Sequence, residues 1–495
     1  MRIINGDSTR VTEMSKMPVS AWNALPAKVA SFLPAADLKK YLEKDITARL
    51  MTTLFSLAVA VMVFHWAREL YGFIPAMAAL TLYVLDPNII AHSQLVTTDI
   101  YATGAIAFSA YWLWRFSVKR KWQDGLWFAI ALGLAQLAKY TSVSLYPLFA
   151  IALLVSDLPV MAEKFRAAGK INIPAEAGRY LKYAFVVAGV SILIINIGFL
   201  FNRTLMPLKD YEFRSELFKS LQSKINFIVP TPYPYLDGFD WILYDEETSF
   251  DYGNIYLLGQ THSRDGFKGY YIIASIFKIP IPTQIILSTA LAVYFTNKER
   301  RKTFLRTEWF LLWPAAFYTV YFNFFYNAQT GIRYYLVIFP LLYIFAGNLF
   351  SGWRDFTYKQ KTMTFALGLY LVVSVLSYYP NYLAYFNEIV WDRKTAYKYL
   401  ADSNIDWGQD INKLKEYRAT NRIFKAPEKP HPLKRKTTFF LSVNDLTGVS
   451  TDPASTYAWL RDNFEPTGMI APSYLLFEMT PGQMENLCGS TDYCR

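Results

Sequence analysis

Four ionisable residues stand at the ends of apolar stretches, where charge is costly and so informative. Asp99 follows the loop AHSQLVTTD directly, and Arg333 lies in NAQTGIRYYLVIFP. Lys278 precedes a proline-broken stretch, GYYIIASIFKIPIPTQ, and Lys139 separates two apolar runs. An ionisable group at such a depth marks a substrate or ion site unless its stem can carry the charge to the interface, which Lys does readily. A carboxylate reaches less far, although Thr97 and Thr98 beside Asp99 offer helix capping as the plainer reading of that turn. Cations and a carboxylate at one level suit a lipid-linked phosphate: Arg and Lys neutralise the leaving phosphate, while a carboxylate deprotonates an incoming hydroxyl or holds a divalent metal ion. A transporter would instead place polar groups near the midpoints of broken helices, and the midpoints here are clean.

The elements that position these residues follow from composition. The 495 residues are 53% hydrophobic and 18% charged, against the about 25% charged that a soluble domain carries, so an apolar solvent is expected around part of the chain. Stretches of bilayer-spanning size occur at 48–66, 73–91, 98–116, 124–138, 141–157, 182–201, 280–296, 308–326, 334–350 and 362–380. The charge-free run at 98–116 is the clearest of the ten, whereas 124–138 and 141–157 read as broken or re-entrant. Lys and Arg gather in alternate loops (Arg115 to Lys121, Lys164 to Arg179, Lys298 to Arg306, Arg354 to Lys361), which places those loops in the cytoplasm. The net charge of +11 is therefore largely topological, and nucleic-acid binding is excluded as a reading.

This alternation puts 1–47, the loop 202–279 and the segment 381–495 outside the cytoplasm. Within the long loop, Phe213, Leu217, Leu221 and Ile225 recur every four residues, predicting an amphipathic helix that lies on a membrane surface or packs on neighbouring spans. PTPYPYLDG (230–238) reads as an extended, proline-rich turn. In 381–495, TTFFLSV (437–443) and SYLLFEM (473–479) read as strands flanking a helix at 453–464, a small α/β lobe. A further helix should open near Asp406 or Gly408. Cys488 and Cys494 are disulfide candidates on the oxidising side, a local staple rather than a metal site. The expected organisation is an outer N-terminal segment (1–47), a membrane domain (48–380) and an extracytoplasmic α/β domain (381–495).

Five motifs then appear in order: DPNIIAHSQLVTTD (86–99), YYIIASIFKIPIP (270–282), GIRYYLVIFP (331–340), YPNYLAYFNE (379–388) and DSNIDWGQD (402–410). Together they resemble the phospholipid-carrier-dependent glycosyltransferases related to the protein O-mannosyltransferase and aminoarabinose transferase families, over nearly the whole chain from about Lys16. The resemblance implies an all-α polytopic membrane fold of the GT-C type with about ten spans and a small outward α/β domain, set in a bacterial cytoplasmic membrane. It implies transfer of a sugar from a polyprenyl-phosphate donor to an extracytoplasmic acceptor, typically with inversion. By this resemblance Asp99, the catalytic candidate of this chain, matches the acidic residue after the family's loop between early spans, and His92 its neighbour. Arg333 matches the Arg near the donor phosphate and Lys278 the Lys of a KTP-like motif, while Asp402, Asp406 and Asp410 fall in a segment of unassigned role. Lys139 joins them as a substrate-binding candidate on its position.

One departure is expected to matter. The family carries an acidic pair after its first span, and one member is held to be the general base. Here KMPVSAWNALP (16–26) occupies the part before the family's second span, so a first span and its pair are expected to be missing. The rival readings are a lipid-linked sugar flippase and a catalytically degenerate scaffold. Sugar, acceptor, metal dependence and oligomeric state are not legible in the residues.

Overall fold

The computed structural model describes residues 45–169, 173–248, 253–263 and 265–490. Most of the expected N-terminal segment, including Asp7, Glu13 and Lys16, and also Cys494, lies outside these.

The helices of six or more residues are α1 (Asp45–Tyr71), α2 (Phe73–Val84), α3 (Pro87–Ser93), α4 (Asp99–Lys119), α5 (Trp122–Ala138), α6 (Leu145–Ala168), α7 (Ile173–Gly198), α8 (Glu216–Lys224) and α9 (Tyr233–Thr248). A hairpin of β1 (Asn254–Leu257) and β2 (Gln260–Ser263) leads to α10 (Tyr270–Lys278), α11 (Ile281–Thr296), α12 (Trp309–Phe324), α13 (Phe339–Gly347) and α14 (Tyr358–Leu376). The C-terminal part adds α15 (Ile411–Thr420), β3 (Phe424–Lys425), β4 (Thr437–Ser442), α16 (Ala458–Asn463), β5 (Gly468–Ala471), β6 (Tyr474–Met479) and α17 (Pro481–Ser490). The architecture is thus a helical bundle with one small sheet near the C-terminus, as hydropathy predicts.

Each of the ten apolar stretches is helical. Among the described residues four helices are long and apolar enough to cross a membrane by length and composition: 47–71, 140–167, 173–198 and 332–350. Two bent pairs, α2 with α3 and α10 with α11, raise the number to six if each is one span. The clear run at 98–116 is not among the four. Its helix, α4, is buried along most of its length by other helices, and its Tyr and Trp lower its hydropathy while filling the bundle's centre. By contrast 141–157 is neither broken nor re-entrant, because the turn Tyr140–Ser144 runs straight into α6. Close packing of α5 on α7 depends on Gly133, where a Cβ would stand 3.1 Å from the Ser191 backbone.

The two bends set up the site. The α2–α3 corner turns by 62° and the α10–α11 corner by 120°. At the latter, Pro280 interrupts the helix, and the carbonyls it frees would be costly if left bare in an apolar medium. Asn387 Nδ2 satisfies Ile276 and Ile279 at 2.6 and 2.8 Å, and Gln284 Nε2 satisfies the same pair at 3.0 and 2.8 Å.

The 202–279 region is structured. Phe213 and Phe218 are buried with Tyr211 and Tyr233 in a small aromatic core. The four-residue series is split: Phe213 precedes α8 and is buried, while Leu217, Leu221 and Ile225 face outward. Residues 233–238 form the start of α9, not an extended turn, because Pro234 is accepted at a helix start. In the C-terminal lobe the sheet order is β3-β4-β6-β5, with β4 and β6 antiparallel. The expected strands are found almost to the residue, the intervening helix is confined to Ala458–Asn463, and α15 opens at Ile411, later than expected. Gly408 cannot begin that helix because it takes φ 78 in a turn whose amide Asp406 accepts at 2.9 Å.

Candidate functional site

The bend before α3 is held by Asp86, which caps the helix by accepting from Asn88 N and Ile89 N at 2.8 and 2.9 Å. Its other oxygen accepts from the Tyr343 hydroxyl at 2.5 Å. Asn88 Nδ2 donates to the Lys278 carbonyl at 2.8 Å, which locks α3 against the α10 corner. One turn later His92 lies on the same helix face, buried, with Nδ1 making no hydrogen bond.

Asp99 is the first residue of α4, where the helix dipole favours a carboxylate. Thr98 occupies the cap position without a side-chain bond, and Thr97 Oγ1 is likewise unpaired, so neither threonine caps the helix. Lys139 ends α5 in extended backbone and reaches across to Asp99 Oδ1 at 2.8 Å. Its amine also stands 3.8 Å from the centre of the Tyr334 ring. Arg333, in the 3-10 segment Ile332–Ile338, brings Nη1 to 3.9 Å from Asp99 Oδ2 and donates from Nη2 to Thr330 Oγ1 at 2.8 Å. Its guanidinium lies 4.8 Å from the Tyr334 ring and 4.5 Å from the Trp407 ring. Asp99 is only 3% exposed, and its Oδ2 accepts no hydrogen bond. Arg333 Nε is buried and donates none.

The segment 402–410 closes over this cluster from the far end of the chain. Asn404 Oδ1 accepts from Ile332 N at 3.1 Å, and its Nδ2 donates to the Tyr270 hydroxyl at 3.0 Å. Ser403 Oγ donates to the Thr330 carbonyl. Gly331 permits this contact: its φ is 95, and a Cβ there would collide with Ser403 Oγ. Asp402 faces Arg333, whose charge pulls its carboxyl down, but burial outweighs that and raises it above the usual carboxylate range.

The structure thus gathers Asp99, Lys139, Arg333 and His92, with Asp402 at the edge. Lys278 is placed differently from the expectation of a phosphate contact. Its amine is 1% exposed and donates to the carbonyls of Leu383 and Asn404, both at 2.7 Å, against the Phe386 ring at 4.9 Å. Two of its three N–H donors go to backbone carbonyls, which ties it to the 402–404 turn. Asp410 is bound by Lys413 and Ser473 at 2.8 and 2.9 Å, and Asp406 sits in the turn beside it, so both serve lobe packing. Cys488 is disulfide-bonded. Among the described residues no group of three or more His, Cys, Asp or Glu is arranged to hold a metal ion. Thr330, Tyr334 and Trp407 were not legible as site residues. The one available signal was an exposed Trp in an otherwise polar lobe segment.

Chemically, the cluster offers two cations against one carboxylate, with a free carboxylate oxygen and a free guanidinium N–H. Such a site can neutralise a phosphate and accept a hydrogen bond from a hydroxyl.

A model of the dolichyl-phosphate-mannose-protein mannosyltransferase family matches residues 41–168, which include α1 to α6, His92, Asp99 and Lys139. Among solved structures, the chain is similar to ArnT from Cupriavidus metallidurans bound to undecaprenyl phosphate, at 14% identity and TM-score 0.45, over 74% of this chain and 55% of that one. It is also similar to the Archaeoglobus fulgidus oligosaccharyltransferase tethered with an acceptor peptide, at 13% identity and TM-score 0.41, over 82% of this chain and 50% of that one. The chain spans about half the length of these two structures. No curated protein matches its sequence.

Proposed function

We propose that the protein is a membrane-embedded glycosyltransferase of the mannosyltransferase-like class, passing a sugar from a polyprenyl-phosphate donor to an acceptor on the extracytoplasmic face. The observation that carries this reading is the meeting of Asp99, Lys139 and Arg333 from three distant segments with Asp99 Oδ2 and Arg333 Nε both unbonded. Buried polar atoms without partners call for an explanation, and two of opposite character meeting beside one ion pair suit a ligand that bonds both. The family match over residues 41–168 supports the same reaction class.

In this mechanism the acceptor hydroxyl oxygen attacks the anomeric carbon opposite the phosphate. The bond from that carbon to the phosphate oxygen breaks, and its electron pair stays on the phosphate. Arg333, stacked between Tyr334 and Trp407, receives the developing negative charge, with Lys139 second. Asp99 Oδ2 accepts the hydroxyl proton, while Oδ1 stays on Lys139 and fixes the carboxylate's angle. His92 borders the sugar side through its unpaired Nδ1. Asp402 adds a carboxyl near Arg333 from the lobe. The deciding experiment is transfer from a labelled lipid-phosphate sugar by Asp99→Asn and Arg333→Ala proteins. Normal turnover in both removes the site, and movement of an intact lipid-linked sugar without cleavage favours a flippase.

A further inference from the structure

At the opposite end of α4 from Asp99, the helices α4, α5, α6 and α7 line a half-open cavity of about 410 Å³. Its walls are almost wholly apolar, including Phe116, Phe128, Leu132, Phe149 and Ala184. From Asp99 to Leu113 on its wall is about 20 Å along the helix, so this space is separate from the cluster described above. The volume is in the range of small-molecule sites, and walls this apolar suit a hydrocarbon chain.

The charges at its mouth say what fills it. Tyr180, Tyr183 and Trp122 form the rim. Around them stand Arg120 and Arg179, both bonded to Asp157, and Lys182, whose amine is 5.8 Å from the Trp122 ring. Glu176 pairs with Lys164 at 2.5 Å and Arg179 at 2.7 Å. Four cations thus face two carboxylates, and among the described residues Lys182 makes no ion pair. Outside the mouth, Leu181 and Phe185 on α7 are 70% and 81% exposed, a continuous apolar face of the kind lipid covers.

We propose that this cavity is a binding site for an anionic glycerophospholipid, with an acyl chain between α5, α6 and α7 and its phosphate at Lys182 and Arg179. Basic pockets between apolar helices bind anionic headgroups on this principle. The site requires the chain to cross a bilayer but does not depend on the transfer reaction, so either can fail without the other.

The test is native mass spectrometry of the detergent-purified full chain delipidated against phosphatidylcholine, phosphatidylglycerol and polyprenyl phosphate. Phosphatidylglycerol should be retained in preference to phosphatidylcholine. Ala184→Trp, which fills the cavity from its wall, should abolish retention. Lys182→Gln, at an exposed side chain whose loss leaves the fold intact, should lower the headgroup preference about fivefold, the factor equivalent to about 1 kcal/mol per basic residue. The proposal is overturned by absence of retained lipid, by retention without headgroup preference or indifferent to Lys182→Gln, by equal retention in a folded Ala184→Trp protein, or by preference for polyprenyl phosphate.

Discussion

Two buried carboxylates, one at each end of the bundle, are flanked by pairs of cations and yet are built differently. Asp157 has both oxygens engaged: Oδ1 takes Arg120, and Oδ2 takes Arg179 at 3.1 Å and the Tyr180 hydroxyl at 2.6 Å. Asp99 has Oδ1 on Lys139, but Oδ2 has only Arg333 at 3.9 Å, beyond hydrogen-bond reach. Burial and ion pairing are common to both. The contrast lies in the carboxylates themselves: Asp99 Oδ2 is unbonded, as are His92 Nδ1, Thr97 Oγ1 and Arg333 Nε beside it, whereas at the other end Arg179 Nε is unbonded but neither oxygen of Asp157 is.

Substitutions should pull the two ends apart. Arg333→Ala should lower transfer by about 10²–10³-fold with little change in melting temperature, since it removes a donor to the leaving phosphate; Arg333→Lys should recover part of that, because the charge returns without the planar fork. Assay against a lipid-phosphate sugar reads both, and a loss of activity matched by loss of fold would erase the distinction. Asp157→Ala should do the reverse. Leaving Arg120 unpaired and Arg179 with Glu176 alone should cost about 1–2 kcal/mol of stability, discounted because those side chains are 33% and 29% exposed, while turnover per folded molecule holds. Lys278→Met should destabilise by about 2 kcal/mol, by baring the carbonyls of Leu383 and Asn404, and should raise KM more than it lowers kcat. A fall confined to kcat would return Lys278 to the reaction centre.

The smallest effect concerns pH. Burial raises Asp402 and Asp406 in the folded protein, so the folded state binds protons more readily than the unfolded chain. Their stabilising contribution is then fullest below the unfolded value of about 4 and is lost as pH rises through the folded values. Asp402→Asn mimics the protonated form at a position with φ 56, which Asn tolerates. It should slightly raise the melting temperature at neutral pH and flatten its dependence on the acid side. An unchanged profile would place the sensitivity elsewhere.

Much of the scaffold was legible because its cause is local. Ten apolar stretches became ten helical segments, since chain length and hydrophobicity alone demand it, and alternation marked β4 and β6. Errors arose where tertiary partners decide. The hydropathy of α4 could not reveal that protein covers it. The threonines before Asp99 looked like caps but are unpaired, and nothing in the sequence told that Leu383 and Asn404, more than a hundred residues away, accept from the Lys278 amine.

Sequence by itself determined which segments are apolar, that the chain is broken by proline near Pro280, and that Asp99, Lys139 and Arg333 stand at helix ends. Those are consequences of hydration, proline geometry and charge at single positions. Only the tertiary structure decided which of these charges meet and which atoms are left unbonded. Hydrogen-bond capacity is used up by neighbours that are distant in sequence, as when Asn404 and Trp407 arrive from the C-terminal lobe to fix the backbone and guanidinium at Arg333.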